Sequence, residues 1–287
     1  MIIDSHAHYA HARYEGEFPY LCIGEDGYTV LRTDRKGLLS DMQKQGIVGV
    51  IEAGIGFDAT QKQLDLVSEQ SGFMWATVGV HPTRCIHTAF KNRKKVREYA
   101  ENNNPVAIGE TGLDYHYQRR KQHRLRQKMW FVYQLKLADR LGLPLVLHIR
   151  AADRSALKIL KRYRSKLHGG VAHCFTGNAA LAEEYITLGF ALGIGGKLLC
   201  DDAAGRELCE TVKRVPLSAL LVETDAPFVM PDTGDLGCSR SQRKKLCNSS
   251  LILPKVIEKI ADLRGEAYET VEQTIYQNTV RVFKLPL

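Results

Sequence analysis

The sequence predicts a (β/α)8 barrel, and three observations carry the prediction. Eight short apolar runs rich in β-branched residues recur along the 287 residues, each with few charges, as expected of strands buried on both faces of a parallel sheet. Longer stretches in which apolar residues return at helical spacing separate the runs and are long enough for crossovers. No G-x-G-x-x-G or G-x-x-x-x-G-K-[ST] pattern follows the first run, so the sequence mark of an open doubly wound sheet is missing.

The strands are expected to begin near Ile2, Ile47, Phe73, Val106, Leu145, Gly170, Phe190 and Leu220. Helices are expected over Leu38 to Gln45, Thr60 to Gln70, Lys94 to Asn102, Gln127 to Leu141, Arg154 to Tyr163, Ala179 to Leu188 and Gly205 to Val212. Two more close the chain, Leu251 to Leu263 and Tyr268 to Phe283. Tyr9 to Lys36 reads as an extended irregular loop, and Phe228 to Ser250, with Pro231, Gly234 and Gly237, as a second one. Nothing reads as a linker, repeat or low-complexity segment, so one domain over 1–287 is expected.

Composition narrows the function classes. With 40 Lys+Arg against 32 Asp+Glu, the formal charge is +8, which favours encounter with polyanions. The seven cysteines form no C-x-x-C pair, against a disulfide framework or zinc ribbon. MIIDSHAHY has no secretory pattern and no apolar stretch reaches membrane length, so a soluble cytoplasmic protein is expected.

The chemistry lies at the predicted strand ends. His6 and His8 close the first strand, and period-two geometry sends both imidazoles to one side. Glu110 ends the fourth strand, His148 the fifth, His173 the sixth and Asp225 the eighth. One polar residue after a buried run is commonly a structural hydrogen-bonding group. Six of them at C-terminal strand ends converge on one barrel mouth, which is where active sites of this fold sit.

Four imidazoles and two carboxylates are enough for two divalent cations if Glu110 bridges them, with positions left for water and substrate. Histidine-rich ligation suits zinc, manganese or iron better than magnesium. Such a pair would generate hydroxide near neutral pH, and Asp225 could also accept the proton of the attacking water. Arg150, Glu223, Asp114 and His81, the last in GVHP after the third strand, also lie near strand ends as candidates for contacting ligands or substrate, Arg150 because its guanidinium can grip a phosphate bidentately.

Basic residues cluster in Gln118 to Lys128 and Arg240 to Lys245, each following a ligand-bearing strand, where they would rim the mouth. The runs Lys91 to Arg97 and Leu160 to Lys166 are expected on outer helices. Tyr9, Tyr115, Tyr117, Phe175 and Phe228 are aromatics that could stack on single-stranded bases.

DSHAHY, GVHP, IGETGLDYHY, LPLVLHIR, HCFTG, LGIGG and ETDAPF stand in order from end to end, with an F-x-x-Q-L-x-L-A helix at Phe131 to Ala138. In these motifs the chain resembles the TatD family of metal-dependent deoxyribonucleases, within the amidohydrolase-type barrels. The resemblance implies a distorted (β/α)8 barrel of the metallo-dependent hydrolase type. It implies two divalent ions, magnesium, manganese or zinc, with His6, His8 and Asp225 on one, His148 and His173 on the other, and Glu110 serving both. It further implies hydrolysis of DNA, including 3′-end exonuclease action on single strands, while some relatives act on D-aminoacyl-tRNA. A tRNA deacylase or other ester or amide hydrolase therefore stands as an alternative, as does a non-catalytic nucleic-acid-binding module. Two departures stand out: the long segment at about 9–36, and Asn248-Ser249-Ser250 where the family commonly has N-x-P.

Overall fold

The computed structural model describes residues 1–24, 27–56, 59–117, 120–232 and 239–286. Gln118 and Arg119 of the basic run Gln118 to Lys128, and Gly234, Gly237 and Cys238, lie outside the described residues. The strands are β1 Ile2–Ala7, β2 Phe18–Gly24, β3 Gly27–Thr33, β4 Ile47–Glu52, β5 Met74–Val78, β6 Ala107–Asp114, β7 Leu145–Arg150, β8 Gly170–Ala172, β9 Phe190–Ile194 and β10 Leu220–Val222. Eight follow one another in a sheet in the order β1-β4-β5-β6-β7-β8-β9-β10, and β2 and β3 pair separately. The helices are α1 Arg35–Lys44, α2 Thr60–Glu69, α3 Arg93–Asn102, α4 Lys121–Leu141, α5 Asp153–Arg162, α6 Ala179–Thr187, α7 Ala203–Arg214, α8 Arg240–Lys245, α9 Leu253–Arg264 and α10 Tyr268–Phe283. This is the alternation the sequence predicts, with all eight barrel strands starting at or within one residue of the expected positions.

The chain divides into two compact units. The first comprises Met1–Ile51, Cys174–Ala182 and Gly193–Thr279. Within it, first and last barrel strands meet: Ala7 and Ala226 form a parallel bridge, and the Asp225 N–H donates to the His6 carbonyl at 2.9 Å. Buried Leu38, Met42, Leu208, Val256, Ile257 and Ile260 supply apolar helix faces.

The segment expected to be an irregular loop contains an antiparallel hairpin in this unit, with Phe18 opposite Thr33 and Tyr20 opposite Leu31. The outer edge of β2 is tied down. Leu21 N–H donates to the Cys247 carbonyl and Cys247 N–H to the Pro19 carbonyl, both at 2.9 Å, while Ser249 Oγ donates to the Leu21 carbonyl at 2.7 Å. Beneath these bonds Leu21, Leu246 and Ile252 form a buried apolar cluster against Ile23, Tyr28, Val30 and Met230. The extra segment is thus covered on one edge and one face by the stretch leading into α9.

The second unit comprises Glu52–His173, Glu183–Leu192 and Val280–Leu287. Strands β5 to β9 pair in parallel here. Between β6 and β7 the register slips: Ile108 faces Leu145 but Thr111 faces Leu147, so Gly109 and Glu110 together oppose one residue. Such a bulge re-aims a side chain without ending the strand. Gly109 is required at this point, because a Cβ there would lie 2.6 Å from Val146 Cβ.

Two glutamines seven residues apart, and so on one face of α4, clamp strand ends. Gln127 Oε1 accepts from Asp114 N–H and its Nε2 donates to the Asp114 carbonyl, both at 3.0 Å. Gln134, the glutamine of the F-x-x-Q-L-x-L-A motif, accepts from Val80 N–H at 2.6 Å. Its Nε2 donates to the Val80 carbonyl at 3.1 Å and to Thr111 Oγ1 at 2.7 Å. Both are fully buried. Replacing Gln134 by Met strands the Val80 groups and Thr111 away from water; a loss of about 2–4 kcal/mol is expected, measured as a lowered urea midpoint at unchanged slope, and an unchanged midpoint would contradict the clamp.

Candidate metal centre

In the first unit, β1 and the residue directly after it carry two buried imidazoles at period-two spacing, His6 and His8. His6 Nε2 and His8 Nε2 are 3.2 Å apart, and Asp225 Oδ1 lies 3.1 Å from the His8 nitrogen and 3.5 Å from the His6 nitrogen. Ligand atoms bonded at about 2.0–2.1 Å in a tetrahedron stand about 3.4 Å apart. The triangle therefore has the spacing of three ligands on one cation. Asp225 reaches it from a left-handed backbone conformation, φ +54°, which Asp enters more readily than most residues.

Behind the triangle stands Asp4, which sequence reasoning missed. It is fully buried. Its Oδ1 accepts from the N–H groups of His6 and Thr224, each at 3.1 Å, and its Oδ2 from Thr224 Oγ1 at 2.6 Å and Ser250 Oγ at 2.7 Å. Burial pushes its pKa up to about 7 in spite of these donors. Asp4, His6 and His8 share one side of the strand, so the alternation D-S-H-A-H held the signal. The Asn248-Ser249-Ser250 departure finds its use here. Ser250 N–H, which a proline would lack, donates to Tyr9 Oη at 2.9 Å, and Asn248 Nδ2 donates to the carbonyls of Thr224 and Val229, each at 3.1 Å. Tyr9 is fully buried in this network, so it is not a stacking surface.

In the second unit the bulged Glu110 is 2% exposed. Its Oε1 lies 2.7 Å from His148 Nδ1, 3.0 Å from His173 Nε2 and 3.4 Å from His81 Nε2, and the His148 and His173 nitrogens are 3.1 Å apart. The Glu110, His148 and His173 spacings bracket the about 2.9 Å between adjacent ligands bonded at 2.0–2.1 Å in an octahedron.

Tautomers sort the imidazoles. His148 Nε2 lies 3.3 Å from Asp114 Oδ2, so a hydrogen on Nε2 leaves the Nδ1 lone pair facing Glu110, the carboxylate–histidine arrangement of metal sites. Burial opposes protonation of His148, but hydrogen bonds with Asp114 and Glu110 outweigh it and raise its pKa above 6.5. Burial likewise raises Asp114, yet His148 and the Tyr117 N–H hold its carboxyl below the usual range. His81 differs. Its Nδ1 accepts from Thr83 N–H at 3.1 Å, which puts the hydrogen on Nε2 and makes that atom a donor toward Glu110 rather than a lone pair.

Of the remaining candidates, Glu223 is buried and its Oε1 accepts from Cys174 N–H at 2.5 Å; this ties down the residue after His173. A Cβ on Gly193 would overlap that carboxylate. Arg150 Nη1 donates to Tyr117 Oη at 3.2 Å, with its guanidinium 4.8 Å from the ring centre. Phe175 is buried, and Phe228 is 39% exposed beside the rings of His8 and His11.

Imidazoles and carboxylates at coordination spacing, carried on parallel strands or shortly after them, with Glu110 and His148 inside β6 and β7 rather than at their ends as the sequence predicts, define the class: a metal-dependent hydrolase on a (β/α)8 barrel. The family model described as TatD related DNase matches residues 3–284, and the chain belongs to that family. It is 34% identical over 257 residues to the 3′-5′ ssDNA/RNA exonuclease TatD of Pantoea vagans, covering 90% of this chain and 96% of that one. The Yersinia pseudotuberculosis protein of the same name is 32% identical, with coverages of 88% and 94%. The crystal structure of YJJV, a TATD homolog from Escherichia coli, superposes with a TM-score of 0.78 at 26% identity, covering 99% and 98% of the two chains. A TatD family hydrolase from Entamoeba histolytica gives 0.78 at 20% identity, covering 98% and 97%, a likeness of fold.

Asp114→Asn replaces the carboxylate that fixes His148 by an amide. Metal affinity should fall about 10- to 100-fold in calorimetric titration of metal-free protein with Mn2+; unchanged affinity would remove Asp114 from the site.

Proposed function

We propose that this chain is a metal-dependent exonuclease that hydrolyses phosphodiester bonds from the 3′ end of single-stranded nucleic acid. The observation that carries the reading is the pair of largely buried donor sets, His6/His8/Asp225 and Glu110/His148/His173, in a chain about a third identical to proteins named for that activity. Each set offers enough donors at coordination spacing to hold one divalent ion by itself, His6/His8/Asp225 in the first unit and Glu110/His148/His173 in the second, and the wider proposal of one domain over 1–287 follows from the barrel order of the strands. Of magnesium, manganese and zinc, the nitrogen-rich donor sets suit manganese and zinc better than magnesium.

Divalent ions bound there supply Lewis acidity and lower the pKa of water. The chain supplies the rest. His6, His8, His148 and His173 present nitrogen lone pairs, held by strand geometry and, for His148, by Asp114. The Asp225 carboxylate, with its side chain 18% exposed, is positioned to accept the proton released when water attacks phosphorus. Arg150 is the donor for phosphate oxygens, His81 Nε2–H faces Glu110, and Glu223 holds the Cys174 N–H.

A 5′-labelled single strand incubated with Mn2+-loaded protein should shorten stepwise from its 3′ end and resist when that end is blocked. Chelation with EDTA should stop the reaction, and His173→Ala should slow it by at least about a hundredfold. Equal rates for wild type and variant, or hydrolysis of D-aminoacyl-tRNA with oligonucleotides untouched, would overturn the reading; the second outcome would assign a deacylase.

A further inference from the structure

We propose that the groove where β6 leads into α4 is a second nucleic-acid subsite. It would hold the body of the single strand while its terminal nucleotide occupies the metal centre. The proposal rests on the exonuclease reading and adds to it where the rest of the strand lies.

The groove has a volume of about 610 Å³ and is lined by Tyr115, Lys121, Arg124, Leu125, Lys128 and Ser155 among others, with no acidic side chain among the described residues of its lining. That size falls within the range of ligand sites, about 300–1,000 Å³. Its charge runs against local helix electrostatics. The first turn of α4 begins with Lys121, contains no acidic residue and has no side-chain cap, so cations face the positive end of the helix dipole. A polyanion relieves that repulsion.

The groove also offers stacking surfaces. The Arg124 guanidinium lies 4.4 Å from the Tyr115 ring centre, which pins its plane. Tyr115 Oη and Arg124 Nε are both buried without a hydrogen-bond partner among the described residues. Two residues after Tyr115, Tyr117 is 62% exposed although Arg150 backs its ring at 4.8 Å, and Leu125 in the lining is 61% exposed. An exposed aromatic ring held in place by a cation, beside a basic groove, is the combination that binds single strands without reading their sequence. A protein partner would need acidic side chains to match; the repeating charge and flat bases of nucleic acid match both halves of this surface.

The position fits as well. Tyr115 directly follows Asp114, the partner of His148, and Arg150 lies two residues beyond His148 on β7. The platform is therefore a short step along the same strands from the Glu110 cluster.

The test compares a thymidine trimer with a twelve-nucleotide strand for wild type, Tyr117→Ala, Tyr117→Phe and the double variant Lys121→Ala/Lys128→Ala, all Mn2+-loaded. Wild type should favour the longer strand in kcat/KM. Tyr117→Ala and the double variant should lose about tenfold on it, mainly through KM, lose much less on the trimer, and show a shallower salt dependence for the double variant. Tyr117→Phe should keep the preference. An unchanged preference in both Ala variants would overturn the subsite, as would equal losses on both lengths. Anisotropy with the same labelled strands separates the two claims. Wild type that binds the long strand better than Tyr117→Ala does, yet cuts neither length, would support the subsite and overturn the exonuclease reading; equal binding by the two would overturn the subsite.

Discussion

The constraint on which the rest depends is the cost of holding carboxylates and imidazoles in a barrel interior. An ionised carboxylate taken out of water loses several kcal/mol of solvation unless cations or donors surround it. Glu110, at 2% exposure, has three imidazoles at 3.4 Å or closer. Asp4 collects four donors, and Glu223 takes the Cys174 N–H. The bulge at Gly109 and Glu110, the small residue at Gly193 and the glutamine face of α4 are what that compensation requires of the backbone.

Sequence alone made the strands and six donors legible, for one reason. Parallel strands buried on both faces are nearly uncharged, so a histidine or carboxylate at a strand end has high contrast. Asp4 escaped notice because it sits inside its strand, where only its shared parity with His6 and His8 marks it. His81 was visible in G-V-H-P, but its donor role depends on the Thr83 N–H, which no spacing reveals. The start of α4 was placed at Gln127 instead of Lys121, because its first turns are basic, lack acidic residues and carry no side-chain cap. The sequence of Tyr9 to Lys36 reads as a loop where the structure has the β2–β3 hairpin. Pro19 and the mixed aromatics masked the alternation, and the partners that bury β2, around Cys247, are more than two hundred residues away.

Departures from a family pattern need a structural reading before they are counted as losses. Ser250 stands where proline is common, and its N–H and hydroxyl both serve the network of Tyr9, Asp4 and Thr224 that backs the His6/His8/Asp225 set. The same holds for charge. The net +8 says little until it is resolved into the solvated faces of outer helices and a few cations beside aromatic rings. The placement of Lys121, Arg124 and Lys128, rather than the total, links charge to a substrate.

The most direct measurement is anomalous diffraction at the manganese or zinc edge from crystals of the metal-loaded protein. Two peaks are expected, one within bonding distance of His6, His8 and Asp225 and one within bonding distance of Glu110, His148 and His173. Absence of density at both donor sets, or metal held only by residues outside them, would contradict the account.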